Sequence, residues 1–165
     1  MYIVNLEQIF NNEGSQLEVK HSFDMSDYEV SGVNPILSPV LVTGTIKNST
    51  GIVHVSAQAE LEYSDGCDRC ATPITRKYTV PISHTLVTEL NDESNDNFTV
   101  IPSMRLDLDE LVFEDILLYL PTKFLCKDDC KGLCPICGKN LNEDSCSCKK
   151  PIDPRLEVLK QLLDN

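Results

Sequence analysis

Eight cysteines constrain this chain of 165 residues more than any other feature. Six fall between positions 126 and 148 (Cys126, Cys130, Cys134, Cys137, Cys146 and Cys148), and Cys67 and Cys70 form a separate CDRC pair upstream. The spacings CxxxC, CPICG and CxC are those at which short Gly- and Pro-containing turns aim neighbouring sulfurs at one point. Cysteine this dense means disulfides or metal, and compartment decides. The N-terminal run MYIVNLEQIF has no basic start, no long apolar stretch and no small-residue cleavage site, so it does not read as a secretory signal. No stretch is apolar for long enough to span a bilayer. The expected location is therefore a reducing cytoplasm, where clustered cysteines hold metal.

Zinc is the expected ion. Iron is the alternative, because CPICG is similar to a rubredoxin half-site, but the second CxxCG that normally completes such a site is missing. Cys134 and Cys137 with Cys146 and Cys148 make the tidiest set of four, with a short loop between the pairs. Cys126 and Cys130 are then left to meet Cys67 and Cys70 in a second site. Alternatively Cys67 and Cys70 are a dithiol redox pair, although such pairs usually open a helix in a βαβ unit, whereas here a strand leads in and Pro73 follows. Spacing leaves that assignment open. Four thiolates around one divalent ion carry surplus negative charge, and Lys127, Lys131, Lys139, Lys149 and Lys150 are placed to offset it. Contact with RNA phosphate is the other role those lysines suit.

Charge is unevenly distributed. The formal net charge is −12, and residues 1–125 carry all of it, with 7 Lys+Arg against 19 Asp+Glu. An acidic surface repels phosphate, so the main body is not expected to grip RNA and suits a basic partner instead.

The pattern predicts an α+β protein, mainly antiparallel β-structure with one packed helix. An acidic β-rich body spans 1–125, a zinc-binding cysteine appendage spans 126–150, and an amphipathic helix spans 151–165. Leu17–Phe23 and Pro39–Lys47 read as strands, and Asn48-Ser49-Thr50-Gly51 reads as a turn. Ile52–Tyr63 alternates, with Val53, Val55, Ala57, Ala59 and Leu61 on the buried face. Ile74–Leu90 is extended, and Pro81 within it marks an edge or a bulge. Asn91–Asn97 is a polar loop. The helix near 107–120 starts at a capping pair, Asp107 and Glu110, and stops at Pro121. It is expected to lie across the sheet and bury Leu111, Val112, Ile116 and Tyr119. Asp153-Pro154 opens the last helix, whose apolar stripe runs through Leu156, Val158, Leu159, Leu162 and Leu163.

No catalytic constellation emerges. His21, His54 and His84 are scattered through strand-like segments, and there is no Gly-rich phosphate loop, HExxH or GxSxG. Neither an enzyme nor a small-molecule binder is expected.

Four blocks in order, GCDRCATPI at 66–74, ILLYLPTKFLC at 116–126, CKGLCPICGKNLNEDSCSC at 130–148 and DPRLEVLKQLL at 153–163, resemble the YceD family of large ribosomal RNA subunit accumulation proteins. The resemblance implies a β-rich, cytoplasmic, bacterial or plastid protein needed for normal levels of large-subunit (23S) ribosomal RNA. It also makes a small basic large-subunit ribosomal protein the first candidate partner, while the charge pattern confines any contact with ribosomal RNA to the lysines around Cys126–Lys150. A redox-regulated zinc chaperone is the alternative from a different class, prompted by a CxC and a CxxC near the C-terminus.

Overall fold

The computed structural model describes residues 1–30, 32–89 and 97–148. By compactness the chain divides into two units. One comprises Met1–Asp65 and Ile74–Thr122; the other draws on Gly66–Pro73 and the chain from Lys123 onward.

The first unit is built on a five-stranded sheet. Strands β2 (Gln16–Phe23), β3 (Val40–Ser49), β4 (Ile52–Gly66), β5 (Pro73–Val87) and β6 (Thr99–Val100) lie in that order. The β2–β3 and β3–β4 pairings are antiparallel, whereas β6 joins β5 in parallel at Leu86 and Val87. A second, two-stranded sheet pairs β1 (Ile3–Asn5) with β7 (Arg105–Asp107). Helix α1 (Glu7–Asn11) follows β1 and helix α2 (Leu108–Tyr119) follows β7. Among the described residues the body therefore carries two helices, one more than the pattern predicts.

Turn chemistry sets the register of the β3–β4 hairpin. Thr50 and Gly51 both have positive φ, 55° and 85°, the backbone of a two-residue turn whose twist matches its flanking strands. Asn48 is fully buried and holds this corner: its amide donates to the Ile9 carbonyl at 2.8 Å, and its Oδ1 accepts from Gly51 N–H at 3.0 Å. With register fixed, alternation places Val40, Val42 and Ile46 of β3 on the same face as Val53, Val55, Ala59 and Leu61 of β4. Gly44 lies opposite Ala57 on that face, and a Cβ there would overlap Ala57. Around Pro81, β5 has a neighbouring strand on one side only among the described residues, the edge position its missing N–H requires.

Helix α2 covers the buried face. Asp107 caps it, its carboxylate accepting from Asp109 N–H at 3.1 Å and Glu110 N–H at 3.3 Å. Leu108, Leu111, Val112 and Ile116 are buried along one stripe. Tyr119 is not: it is 49% exposed, because the stripe runs out in the last turn, before Leu120 goes extended ahead of Pro121. Two histidine–carboxylate contacts, both 2.8 Å, tie the helix to separate strands, His21 of β2 to Asp109 and His84 of β5 to Asp115. His84 also bonds Thr99 of β6 at 3.1 Å. These two histidines thus have structural partners. Almost all of the expected 91–97 loop and the whole expected 151–165 helix lie outside the described residues.

Candidate metal centre

In the cysteine unit, the turn between β4 and β5 is the first half of a sulfur cluster. Cys67 N–H donates to the Thr72 carbonyl and Ala71 N–H to the Cys67 carbonyl, at 2.9 and 2.8 Å, closing a tight loop around the CDRC sequence. The two intervening residues lock this loop to the later segment. Asp68 exchanges two bonds with Phe124: its N–H donates to the Phe124 carbonyl at 2.9 Å, and its carboxylate accepts from Phe124 N–H at 2.6 Å. The Arg69 guanidinium donates to the Cys130 carbonyl at 2.8 Å, and its own carbonyl accepts from Leu133 N–H at 3.0 Å. Gly132 permits this approach. It has φ +75°, and a Cβ there would press on the Arg69 carbonyl at 3.0 Å.

The result brings all eight cysteines into two groups of four. Cys67, Cys70, Cys126 and Cys130 form one, and Cys134, Cys137, Cys146 and Cys148 the other; within each, every sulfur lies within 4.8 Å of the others. None of the eight is in a disulfide. Cys67 and Cys70 are therefore not an isolated pair. Cys67 Sγ lies 3.8 Å from Cys130 Sγ, and Cys70 Sγ lies 3.6 Å from Cys126 Sγ. A zinc–thiolate bond of about 2.3 Å gives a tetrahedron with edges of roughly 3.8 Å, so the two distances in the first group fit one tetrahedral ion, and the four sulfurs of the second lie close enough to share one.

Local donors favour thiolate at specific members. Burial pushes the Cys67 thiol up, but N–H groups of Cys126, Arg69 and Cys70 outweigh it and bring the pKa down to about 6. Burial likewise opposes ionisation of Cys130, yet the Asn142 side chain and Gly132 N–H hold it below its ordinary value. Cys134 falls to about 6 through N–H groups of Cys137 and Ile136 and the Cys146 thiol. Cys126 is pushed up to about 12 by burial and by the neighbouring thiols of Cys130, Cys70 and Cys67. Cys148 is pushed up to about 12, chiefly by its contact with Cys137 and then by burial. Crowded sulfurs oppose one another's ionisation. A divalent cation is the group that reverses this, deprotonating every ligand at once. Both groups can hold a metal ion.

The groups differ in exposure. Cys67, Cys70 and Cys130 are buried and Cys126 half-buried, whereas in the second group only Cys134 is buried and Cys137 and Cys148 are exposed. The knuckle of the second group closes through Gly138, at φ +71°, whose N–H donates to the Cys134 carbonyl at 2.9 Å. Sequence reasoning missed Asn142, which lies between Cys137 and Cys146 and serves the other group: its amide donates to Cys130 Sγ at 3.3 Å, while its Oδ1 accepts from Lys131 N–H at 2.9 Å. The NLN between the second group's pairs is the signal the sequence offers. Of the lysines expected to offset thiolate charge, Lys127 lies 3.8 Å from Asp129 and Lys139 lies 2.9 Å from Asp144. Among the described residues, no helix is long and apolar enough to cross a membrane.

An uncharacterized protein of Mycobacterium tuberculosis and one of Mycobacterium bovis are each 27% identical to this chain over 164 residues, covering 97% of this chain and 68% of the relative. No solved structure matches. The sequence pattern of "Large ribosomal RNA subunit accumulation protein YceD" matches residues 55–163, a span that includes every cysteine of both groups. The chain belongs to the YceD family.

Proposed function

We propose that this protein is a non-enzymatic ribosome-biogenesis factor of the cytoplasm, needed for large-subunit (23S) ribosomal RNA to accumulate. In this reading it acts through a small basic large-subunit ribosomal protein, and any contact with ribosomal RNA runs through the lysines around Cys126–Lys150. The family match over residues 55–163 carries the reading, and family membership implies a role in large-subunit RNA accumulation. Cys67, Cys70, Cys126 and Cys130 hold one zinc, and Cys134, Cys137, Cys146 and Cys148 hold another. The all-sulfur donor sets and the close grouping of each four support zinc. With four protein ligands each, such sites are closed and structural. Their chemistry is cross-linking, with no position for substrate or water. Depletion in growing cells tests the role: mature large-subunit RNA is expected to fall relative to small-subunit RNA. An equal fall of both would defeat it. Holdase activity that appears only after peroxide treatment, with ribosomal RNA unchanged, would favour the redox-regulated chaperone.

A further inference from the structure

A cavity of about 690 Å³ in the first unit belongs to neither sulfur group. Its apolar lining includes Phe23, Tyr28 and Phe113. Tyr28 and Phe113 meet edge to face, with ring centroids 5.9 Å apart. Among the described residues, the charged side chains of the lining are all acidic: Asp24, Asp27, Glu29, Asp109 and Glu110. One cation is already seated there. The Met1 ammonium, itself in the lining, lies 2.8 Å from Asp109 Oδ2. Asp24 accepts from Ser26, and Asp109 is also bonded to His21. Asp27, Glu29 and Glu110 are exposed, and among the described residues no ion pair engages their carboxylates.

We infer that this cavity is the docking site for a lysine- or arginine-rich segment of a protein partner, an inference that rests on the proposed action through a basic protein. The aliphatic stem of a basic side chain lies against the aromatic lining, and its charged head meets the free carboxylates at the rim. An ammonium or guanidinium over Tyr28 or Phe113 gains a cation–π contact, while its stem displaces water from apolar surface. RNA is disfavoured at the same place, because five carboxylates face a phosphate backbone.

Titrating the full-length protein with a short fluorescent Lys/Arg-rich peptide, and separately with a single-stranded RNA oligomer, tests the site. Replacing Asp27, Glu29 and Glu110 together with their amides (D27N, E29Q, E110Q) keeps shape and removes charge. This triple variant should weaken peptide binding roughly tenfold at low salt. A control with the same change in net charge elsewhere (E7Q, E18Q, E60Q) should change binding by less than about twofold. Phe113→Ala, checked for an unchanged far-UV spectrum, should cost roughly fivefold on the cation–π argument. Equal losses in the triple variant and the control would show diffuse attraction and overturn the cavity. RNA binding with none to the peptide would overturn it too. Depletion reads the ribosomal role separately: loss of large-subunit RNA without cavity-dependent peptide binding defeats this site and leaves the function standing.

Discussion

The sheet unit and the cysteine unit solve the same problem, excluding water from a core, with different chemistry. In the first, Ile36, Val40, Val42, Ile46, Leu108 and Ile116 are completely buried, and a register-fixed sheet under a capped helix puts them together. In the second, Phe124 is the one large apolar side chain that is buried among the described residues; the other buried side chains are those of Cys67, Cys70, Cys130 and Cys134. So little apolar area cannot offset the chain entropy of ordering a segment this long. The lesson is that the cysteine unit's core is its sulfurs, and whatever binds them is part of the fold. The sheet unit needs no such help.

Metal removal is the largest break in that symmetry. Structural zinc contributes roughly 10–16 kcal/mol in finger peptides. A strong chelator should therefore unfold the cysteine unit and leave the sheet unit's amide protection intact, read by hydrogen exchange along the chain. Elemental analysis beforehand should give two zinc ions per chain. The comparison sharpens within the unit as well. Release should be biphasic, with the exposed Cys134 group emptying before the buried Cys67 group. Loss of protection in both units together would show that the sheet unit's core does not stand alone.

The reverse break comes from the apolar side. Ile116→Ala opens a hole at a fully buried position and should cost about 2–5 kcal/mol. Zinc content should stay the same. A denaturant melt followed in parallel with metal analysis checks both halves of the expectation. Zinc lost from the folded variant would contradict the division of labour.

Much of the sheet unit was legible because its cues are local. Alternation over Val53–Leu61, the Thr50-Gly51 turn and the Asp107 cap each act within a few residues. What sequence could not show depended on distant partners. β1 is three residues long and exists through its pairing with β7 about a hundred positions away, and the five-residue α1 is too short to hold by propensity. His21 and His84 looked scattered because the carboxylates that hold them, Asp109 and Asp115, come from α2, 88 and 31 positions further along the chain. The cysteines were legible as ligand types, and spacing made the Cys134 group the natural set. The meeting of Cys67 and Cys70 with Cys126 and Cys130 was one of two open readings. Spacing does not encode the Asp68–Phe124 and Arg69–Cys130 bonds that bring those segments together.

Asn142 sets up a finer contrast, between two metal groups inside one unit. Its amide reaches Cys130 Sγ from the loop that spans the other group. Asn142→Ala should lower metal affinity at the Cys67 group roughly 10–100-fold, the usual effect of removing a partner that orients a ligand. The Cys134 group should change less, because the substitution leaves its four ligands in place. Competition with a chromophoric chelator resolves the two affinities. Equal weakening of both groups would mean that the loop, rather than the hydrogen bond, carries the effect.

The smallest expected effect returns to the sheet unit and asks whether its helix depends on a local device or on packing. Asp107 supplies a side-chain cap for α2, accepting from two N–H groups of the first turn. Asp107→Ala should cost about 1 kcal/mol, the usual loss when a capping carboxylate goes. That is less than Ile116→Ala, because four buried side chains hold the helix to the core whether or not its end is capped. Asp107 also ends β7, where it is paired with Ile3, so fraying should spread to β1 before it reaches the centre of α2. Hydrogen exchange should show faster turnover at Asp109 and Glu110, then at Ile3–Asn5, with Ile116 unchanged. If Ile116 exchanges as fast as Asp109 in this variant, α2 depends on its cap, and the unit's stability is less a matter of apolar burial than its core implies.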